Sequence, residues 1–333
     1  MFEKYEFEAR DGFRCNLMRA GTSAAAPKGP VMLVHGAGVR GNIFNPPNDH
    51  NLIRLLQNEG YDVWLENWRG SIECKPNQWD LDIVADNDHP AAVEKICEVT
   101  GAAAIKAVIH CQGSTSFMIS AIKGLVPQVT TIISNAVSLH PVVPAYSKFK
   151  LNYLLPLVKY ITPYLNPHWG DDAPDFTSKL FRTIVQLTHH EKDTTVGKMV
   201  SFTYGAGRPA LWELANLSQH TMQWIRNEFG SVPITFFDHI RHCVEKGVLV
   251  SRKGNNSYAQ TVPKTDARFV FLAGKLNKCF SSESQQNSYN YFNKLRPAYH
   301  KIYEFDTYSH LDVFLGKNAH DDIFPTIIEE LNG

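Results

Sequence analysis

Apolar and polar positions divide the chain into three stretches with different periods. In the first, short apolar runs alternate with amphipathic segments. Tyr5 and Phe7 alternate with polar neighbours, Asp11-Gly12 marks a turn, and Phe13, Cys15 and Leu17 alternate again, so residues 1–20 read as a hairpin. Gly21 to Gly29 is a loop of small residues. A strand at 30–34, a helix at 48–58, a strand at 61–66, a helix at about 89–99, a strand at 105–110, a helix at 113–124 and a strand at 129–134 follow. This alternation predicts a mostly parallel sheet with helices on both faces. The site of such a sheet lies beyond the carboxyl ends of its strands.

From about 140 to 250 the period becomes helical. Leu151, Leu154, Leu155, Val158, Ile161 and Leu165 form one apolar stripe, closed by Pro163 and Pro167. Residues 176–190, 193–200, 208–229 and 234–246 carry further helical patterns, and strands fade. The sheet pattern then resumes with Arg268–Gly274 and Lys301–Phe305. Residues 1–139 and 251–333 are therefore expected to build an α/β core, and 140–250 a helical lid or cap inserted into it. The aromatic load of the insertion, including Trp169, Trp212, Tyr204, Trp224 and Phe237, favours an apolar pocket wall. Tyr204, Trp224 and His220 are its candidate substrate contacts.

Composition narrows the class. Of 333 residues, 44% are hydrophobic and 20% charged, enough to build a large core, and the net charge is zero. Nothing therefore points to nucleic acid or an anionic surface. Six cysteines show neither disulfide nor zinc spacing, and the N-terminus carries no signal-peptide pattern, so a reducing cytoplasm is the expected setting. No apolar run is long enough to span a bilayer. His189-His190-Glu191 is the one metal-like string, but adjacent histidines do not share a helix face and no third ligand is suitably spaced. No metal, nucleotide or flavin is expected.

The chemistry concentrates in three places. His110-Cys111-Gln112-Gly113-Ser114 lies between an apolar run and an amphipathic one, the strand–turn–helix context of a nucleophile elbow with cysteine in the serine position. A strained turn would raise Cys111 above the sheet edge, and the helix N-terminus would favour its thiolate. Gly113 would allow close helix packing, and the Gln112 N–H could bind an oxyanion. Ser114 and Ser116 would serve only in a shifted register, where no elbow glycine fits. His110 should point away from the sulfur and pack. Upstream, a strand runs into His35-Gly36-Ala37-Gly38, where the N–H of Ala37 or Gly38 would complete an oxyanion hole. Near the C-terminus, His310 follows the last strand, where a general base belongs. Asn277, in the loop after strand 268–274, is the candidate that orients His310 by accepting its N–H. Asn135 and Asp306 are its rivals.

These regions resemble the α/β-hydrolase superfamily over nearly the whole chain. The motifs His35–Arg40 with Ile43-Phe44, Asn67–Ser71, His110–Ser114, Ser201–Gly205, Asn277 with Cys279-Phe280, Glu283-Ser284, Ser309–Asp312 and Gly316–Ala319 carry a narrower likeness. They are similar to the cysteine-bearing hydrolase-like domain associated with bacterial cholesterol-oxidase-type (glucose–methanol–choline) oxidoreductases. That likeness implies an elbow cysteine, an amide after the acid strand and an oxidoreductase partner; the oxidoreductase domain itself is absent. Together the motifs predict acyl transfer through a Cys111 thioester, from a lipophilic ester, thioester or lactone, free or bound to a carrier or to CoA. Hydrolysis and transfer to an amine or thiol both remain open. The competing class is a non-enzymatic binding protein on a hydrolase-like fold, to which an amide in the acid position would be no obstacle.

Overall fold

Residues 2–21, 26–207 and 211–333 are described by the structure, a computed structural model. Part of the small-residue loop at 21–29 lies outside them. The N-terminal alternation forms its hairpin: β1 (Phe2–Glu8) pairs antiparallel with β2 (Arg14–Ala20), with Glu8 opposite Arg14. Gly12, at φ +83°, takes the left-handed turn position that glycine occupies without steric cost.

β3 (Pro30–Val34), β4 (Asp62–Asn67), β5 (Ile105–His110) and β6 (Val129–Asn135) follow, separated by α1 (Leu52–Asn58), α2 (Leu81–Thr100) and α3 (Cys111–Ile122). β3 and β4 are buried at every position, the mark of strands covered on both faces. α2 starts eight residues before the expected 89. The carboxylate of Asp80 accepts the Ile83 N–H and caps it there, and Pro90, which lacks an N–H, lies inside the helix rather than at its first turn.

After β6 the chain is helical, with one exception to the expected loss of strands: β7 (Tyr164–Leu165) pairs with β8 (Val232–Pro233) in a two-stranded ribbon. The stripe over 151–165, expected to form one helix closed by Pro163 and Pro167, instead belongs to a helical segment that starts and ends earlier. α4 (Ala145–Phe149) runs through a π turn (Lys150–Leu154) into α5 (Leu155–Val158). Pro156 sits in the first turn of α5, and the missing N–H accompanies the wider turn before it. α6 (Phe176–Thr188) and α7 (Thr195–Tyr204) follow. The helix expected over 208–229 is broken. Its first three residues lie outside the described set, and beyond them Ser218 caps a separate short helix, α8 (Gln219–Trp224), by accepting the Thr221 N–H. α9 (Ile234–Lys246) ends at Gly247 in the left-handed conformation.

β9 (Arg268–Gly274), α10 (Ser282–Leu295), β10 (Lys301–Phe305), α11 (Asp312–Leu315), α12 (Ala319–Asp322) and α13 (Phe324–Asn332) complete the chain. The main sheet has eight strands in the order β1-β2-β4-β3-β5-β6-β9-β10, parallel from β4 to β10. Helices flank this mostly parallel sheet. Trp64, Phe117, Phe269 and Phe271 are among its fully buried side chains. The outer faces of α4–α6 differ in kind: Tyr153, Leu157, Tyr160, Phe176 and Leu187 are all exposed, Tyr160 by 82%.

Candidate active site

β5 ends at His110 and α3 begins at Cys111, with no residue between. The change of direction falls on Cys111 itself, at φ +58°. For a residue with a Cβ this costs about 1–2 kcal/mol, and it persists because the surroundings impose it. Gly113 explains how: a Cβ there would lie 2.2 Å from the His35 carbonyl oxygen and 2.8 Å from Val34 Cγ1. The first turn of α3 is pressed against the end of β3. Gly36 approaches equally closely, since its Cβ would lie 2.8 Å from Cys111 Cβ.

The two candidate oxyanion donors after β3 separate cleanly. The Gly38 N–H donates to the Gly70 carbonyl at 3.1 Å and is spent. The Ala37 N–H has no partner among the described residues, and Ala37 lines the same cavity as Cys111 and Gln112. Gly38 serves the loop instead: its φ is +66°, and a Cβ would collide with Val232 at 2.3 Å and the Tyr204 hydroxyl at 2.7 Å. That hydroxyl donates to the Ala37 carbonyl at 3.0 Å, so Tyr204 braces the loop as well as lining the cavity. The Gln112 N–H, unpaired in the first turn of α3, lies against the Cys111 sulfur.

His310 stands between β10 and α11, fully buried. A ring nitrogen of His310, a ring nitrogen of His110 and the Cys111 sulfur lie within 4.8 Å of one another. His310 Nε2 has no hydrogen-bond partner among the described residues. Asn277 Nδ2 lies 3.0 Å from His310 Nδ1, while Asn277 Oδ1 accepts the N–H groups of Cys279 at 2.9 Å and Phe280 at 3.3 Å. The expected contact is present with its direction reversed. With its oxygen held by two backbone donors, Asn277 presents its NH2 to the ring and donates.

The rivals of Asn277 fall elsewhere. Asn135 donates to His110 Nδ1 at 2.9 Å and to the His310 carbonyl at 3.0 Å, tying β6 to the histidine loop. Asp306 is exposed and pairs with Lys275. His110 does not point away: its ring packs edge-on against His310, centroids 4.7 Å apart. Of the three candidate substrate contacts, Tyr204 alone lines the cavity. His220 is exposed, and neither it nor Trp224 lines the cavity, because α8 is short and anchored to Asn48 through Thr221. Ser116 is fully buried beneath α3, where it meets His89 Nε2 at 2.7 Å. His89 Nδ1 meets Glu66 at 2.9 Å. This Ser-His-Glu chain has triad composition, but all three groups are sealed in the core, where they join α2, α3 and β4.

Cys111 is half-buried, and its sulfur borders an apolar cavity walled by Leu151, Leu154, Val158, Phe202, Phe236 and Phe237. The thiol is held well below its usual range. The hydrogen bond with Cys279 is the largest cause; His310 and the Gln112 N–H add to it and outweigh burial. Cys279, which lines the same cavity, is pushed up in return by its hydrogen bond to Cys111 and by burial. Sequence reasoning gave Cys279 no role, yet its place two residues after Asn277 is the signal that could have found it. Lys150 is the cationic residue of the cavity wall. Burial lowers its pKa to about 8, and its Nζ donates to the Phe202 and Gly205 carbonyls at the end of α7.

A mostly parallel sheet with an elbow residue at the end of β5, a glycine loop after β3 and a histidine after the last strand defines an α/β-hydrolase. The chain belongs to the α/β-hydrolase superfamily: it is 31% identical to human lipase member K over 276 residues, 67% of this chain and 68% of that protein. Other matches are shorter. Human gastric triacylglycerol lipase is 32% identical over 133 residues, 34% of this chain and 33% of the lipase. Sterol esterase 2 of Saccharomyces cerevisiae is 26% identical over 139 residues, 37% of this chain and 26% of the esterase. No protein-family model matches. Among solved structures, DcsB in complex with its substrate analogue aligns with a TM-score of 0.62 at 14% identity, covering 100% of this chain and 98% of DcsB. The esterase EaEST of Exiguobacterium antarcticum aligns at 0.59 with 13% identity, covering 98% and 99%. These structural likenesses show the fold.

Proposed function

We propose that the chain is an acyl-transfer enzyme that holds its acyl group as a thioester on Cys111. The lipase and esterase relatives support ester hydrolysis by an α/β-hydrolase as the general activity. The cysteine is this chain's own variation on it. The observation that carries the reading is the strained Cys111 in the wall of an apolar cavity that is also lined by Gln112 and by Ala37, whose N–H has no partner among the described residues. Residues 140–250 act as the lid: the segment from α4 through the π turn to α5, together with α7 and α9, supplies most of the cavity wall, and the exposed apolar faces of α4–α6 extend that character outward. Both features support a lipophilic acyl group.

In the proposed reaction the carbonyl oxygen of the donor lies between the N–H groups of Ala37 and Gln112. The Cys111 thiolate attacks, the tetrahedral oxyanion is stabilised by those donors, and the leaving group departs. Water or another nucleophile then releases the acyl group. Intact-protein mass after mixing with activated esters and thioesters tests this. An acyl adduct in the wild type, absent from Cys111→Ala, is the expected result. A wild type that acquires no adduct, with a Cys111 no more reactive than an ordinary thiol, would return the chain to the binding-protein class. The motif likeness to the oxidoreductase-associated domain supports an oxidoreductase as partner, which co-purification from the native source tests.

A further inference from the structure

We infer that Asn277 holds His310 with its proton on Nε2, making the histidine a hydrogen-bond donor to Cys111 and not a base, and that the site therefore takes thioesters as acyl donors. The inference rests on the acyl-transfer reading above and names its substrate class.

The direction of the Asn277 amide is fixed by its neighbours. Two backbone N–H groups, of Cys279 and Phe280, converge on one end of it, and only the oxygen can face them. The NH2 then faces His310 Nδ1 at 3.0 Å, so Nδ1 must accept and the ring proton must sit on Nε2. An imidazolium would set two donors against each other at that contact. His110 is fixed in the same way, because the Asn135 NH2 that donates to the His310 carbonyl also faces His110 Nδ1. With Nδ1 accepting from Asn277 and the proton on Nε2, His310 keeps no free lone pair with which to take a proton from the sulfur.

In a serine protease triad, replacing the aspartate by asparagine leaves the geometry intact and costs about 10⁴ in kcat through this same wrong tautomer. Serine needs a base to ionise; a thiol, with an ordinary pKa of about 8.5, ionises near neutral pH without one. The cysteine and the asparagine are thus matched: each makes sense of the other. His310 is fully buried behind Cys111. Lys150, the cation in the cavity wall, spends its protons on carbonyl oxygens.

The chemistry that remains needs no proton in flight. The Cys111 thiolate attacks the thioester carbonyl, a carbon–sulfur bond forms, and the negative charge moves to the oxygen. Collapse breaks the donor's carbon–sulfur bond, and the electron pair leaves as a stable thiolate. A second thiolate can attack the acyl-enzyme and regenerate the Cys111 thiolate with charge balanced throughout. An alkyl ester would expel an alkoxide that must be protonated, and water must lose a proton to attack; the site supplies neither service.

The ¹⁵N chemical shifts of histidine in the ligand-free protein test the tautomer directly, with His310→Gln assigning the signal among the fourteen histidines. Nδ1 should read as unprotonated and Nε2 as protonated. A thioester and an alkyl ester of the same acyl chain test the substrate class by single-turnover labelling of Cys111. The thioester should react faster by about 10²–10⁴, the range that general acid–base help would otherwise supply. Asn277→Asp, isosteric and able to accept the Nδ1–H, should move the proton to Nδ1 and narrow that gap at least about tenfold. A wild-type His310 protonated at Nδ1, or equal labelling by the two donors, overturns the inference while leaving the acyl-enzyme intact. If neither donor labels Cys111, the acyl-transfer reading fails and the substrate class fails with it.

Discussion

Gly113→Ala is the smallest change that tests how the site is built. Gly113 is the third residue of α3 and its backbone is helical, so alanine would ordinarily gain about 1 kcal/mol there. Its Cβ, however, would lie 2.2 Å from the His35 carbonyl oxygen, a backbone atom, and 2.8 Å from Val34 Cγ1. Relief requires that α3 and the end of β3 separate by most of an ångström. That carbonyl also accepts the Trp68 indole N–H at 3.0 Å, a bond the movement would stretch. Overpacking of this kind costs about 1–3 kcal/mol and sometimes more, so a net loss of up to about 2 kcal/mol is expected after the propensity gain of about 1 kcal/mol. Function should suffer more than stability. His35 is two residues from Ala37, and displacing that loop moves an oxyanion donor away from the Gln112 N–H. Loss of one such donor typically costs about 10²–10³ in rate. Urea unfolding, with the midpoint compared at constant slope, measures the first effect, and single-turnover labelling of Cys111 measures the second. A Gly113→Ala protein with the wild-type midpoint and a labelling rate within about threefold would refute the close-packed elbow on which the site depends.

Three further outcomes are expected. Alkylation of Cys111 by iodoacetamide should stay nearly constant between about pH 7 and 9, because its thiolate persists below the ordinary thiol range, whereas a free model thiol, with a pKa of about 8.5, should react many times faster at the upper end of that interval than at the lower. Cys279→Ala, which removes the largest cause of that shift, should raise the pH at which Cys111 becomes reactive, read from the same rate profile. Tyr204→Phe should lower the labelling rate about tenfold with about 1 kcal/mol loss in urea stability, since one hydrogen bond to the oxyanion loop disappears while the ring stays.

The parallel core was readable because its signals are local. An apolar run that ends in His-Cys-Gln-Gly, or in His-Gly-Ala-Gly, carries its own turn chemistry, and β3, β5 and α3 stand where those runs place them. The insertion was readable only in part, because its helices are interrupted by features that periodicity does not encode. The start of α8 depends on one Ser218 cap, and the π turn before α5 goes with Pro156. Which of the three candidate contacts meets the cavity follows from those interruptions. Tyr204 ends a helix aimed at the oxyanion loop; His220 and Trp224 sit on a short helix held to Asn48.

Asn277 shows where sequence reading stops for a physical reason. Its place in the chain follows from β9 and from the order of elbow and histidine, and the structure sets it beside His310 as expected. Whether it accepts or donates is decided by what grips its other end, and the grip is backbone: the N–H groups of Cys279 and Phe280. No side-chain identity reports it. An aspartate in that slot could satisfy the loop and still accept the imidazole N–H, since both ends of a carboxylate are acceptors. An asparagine cannot do both. A loop that demands an oxygen therefore turns the amide's remaining end into a donor, and the exchange of one isosteric atom changes what the histidine can do. The sulfur at 111, which ionises without a base, is the residue type that can still work beside it.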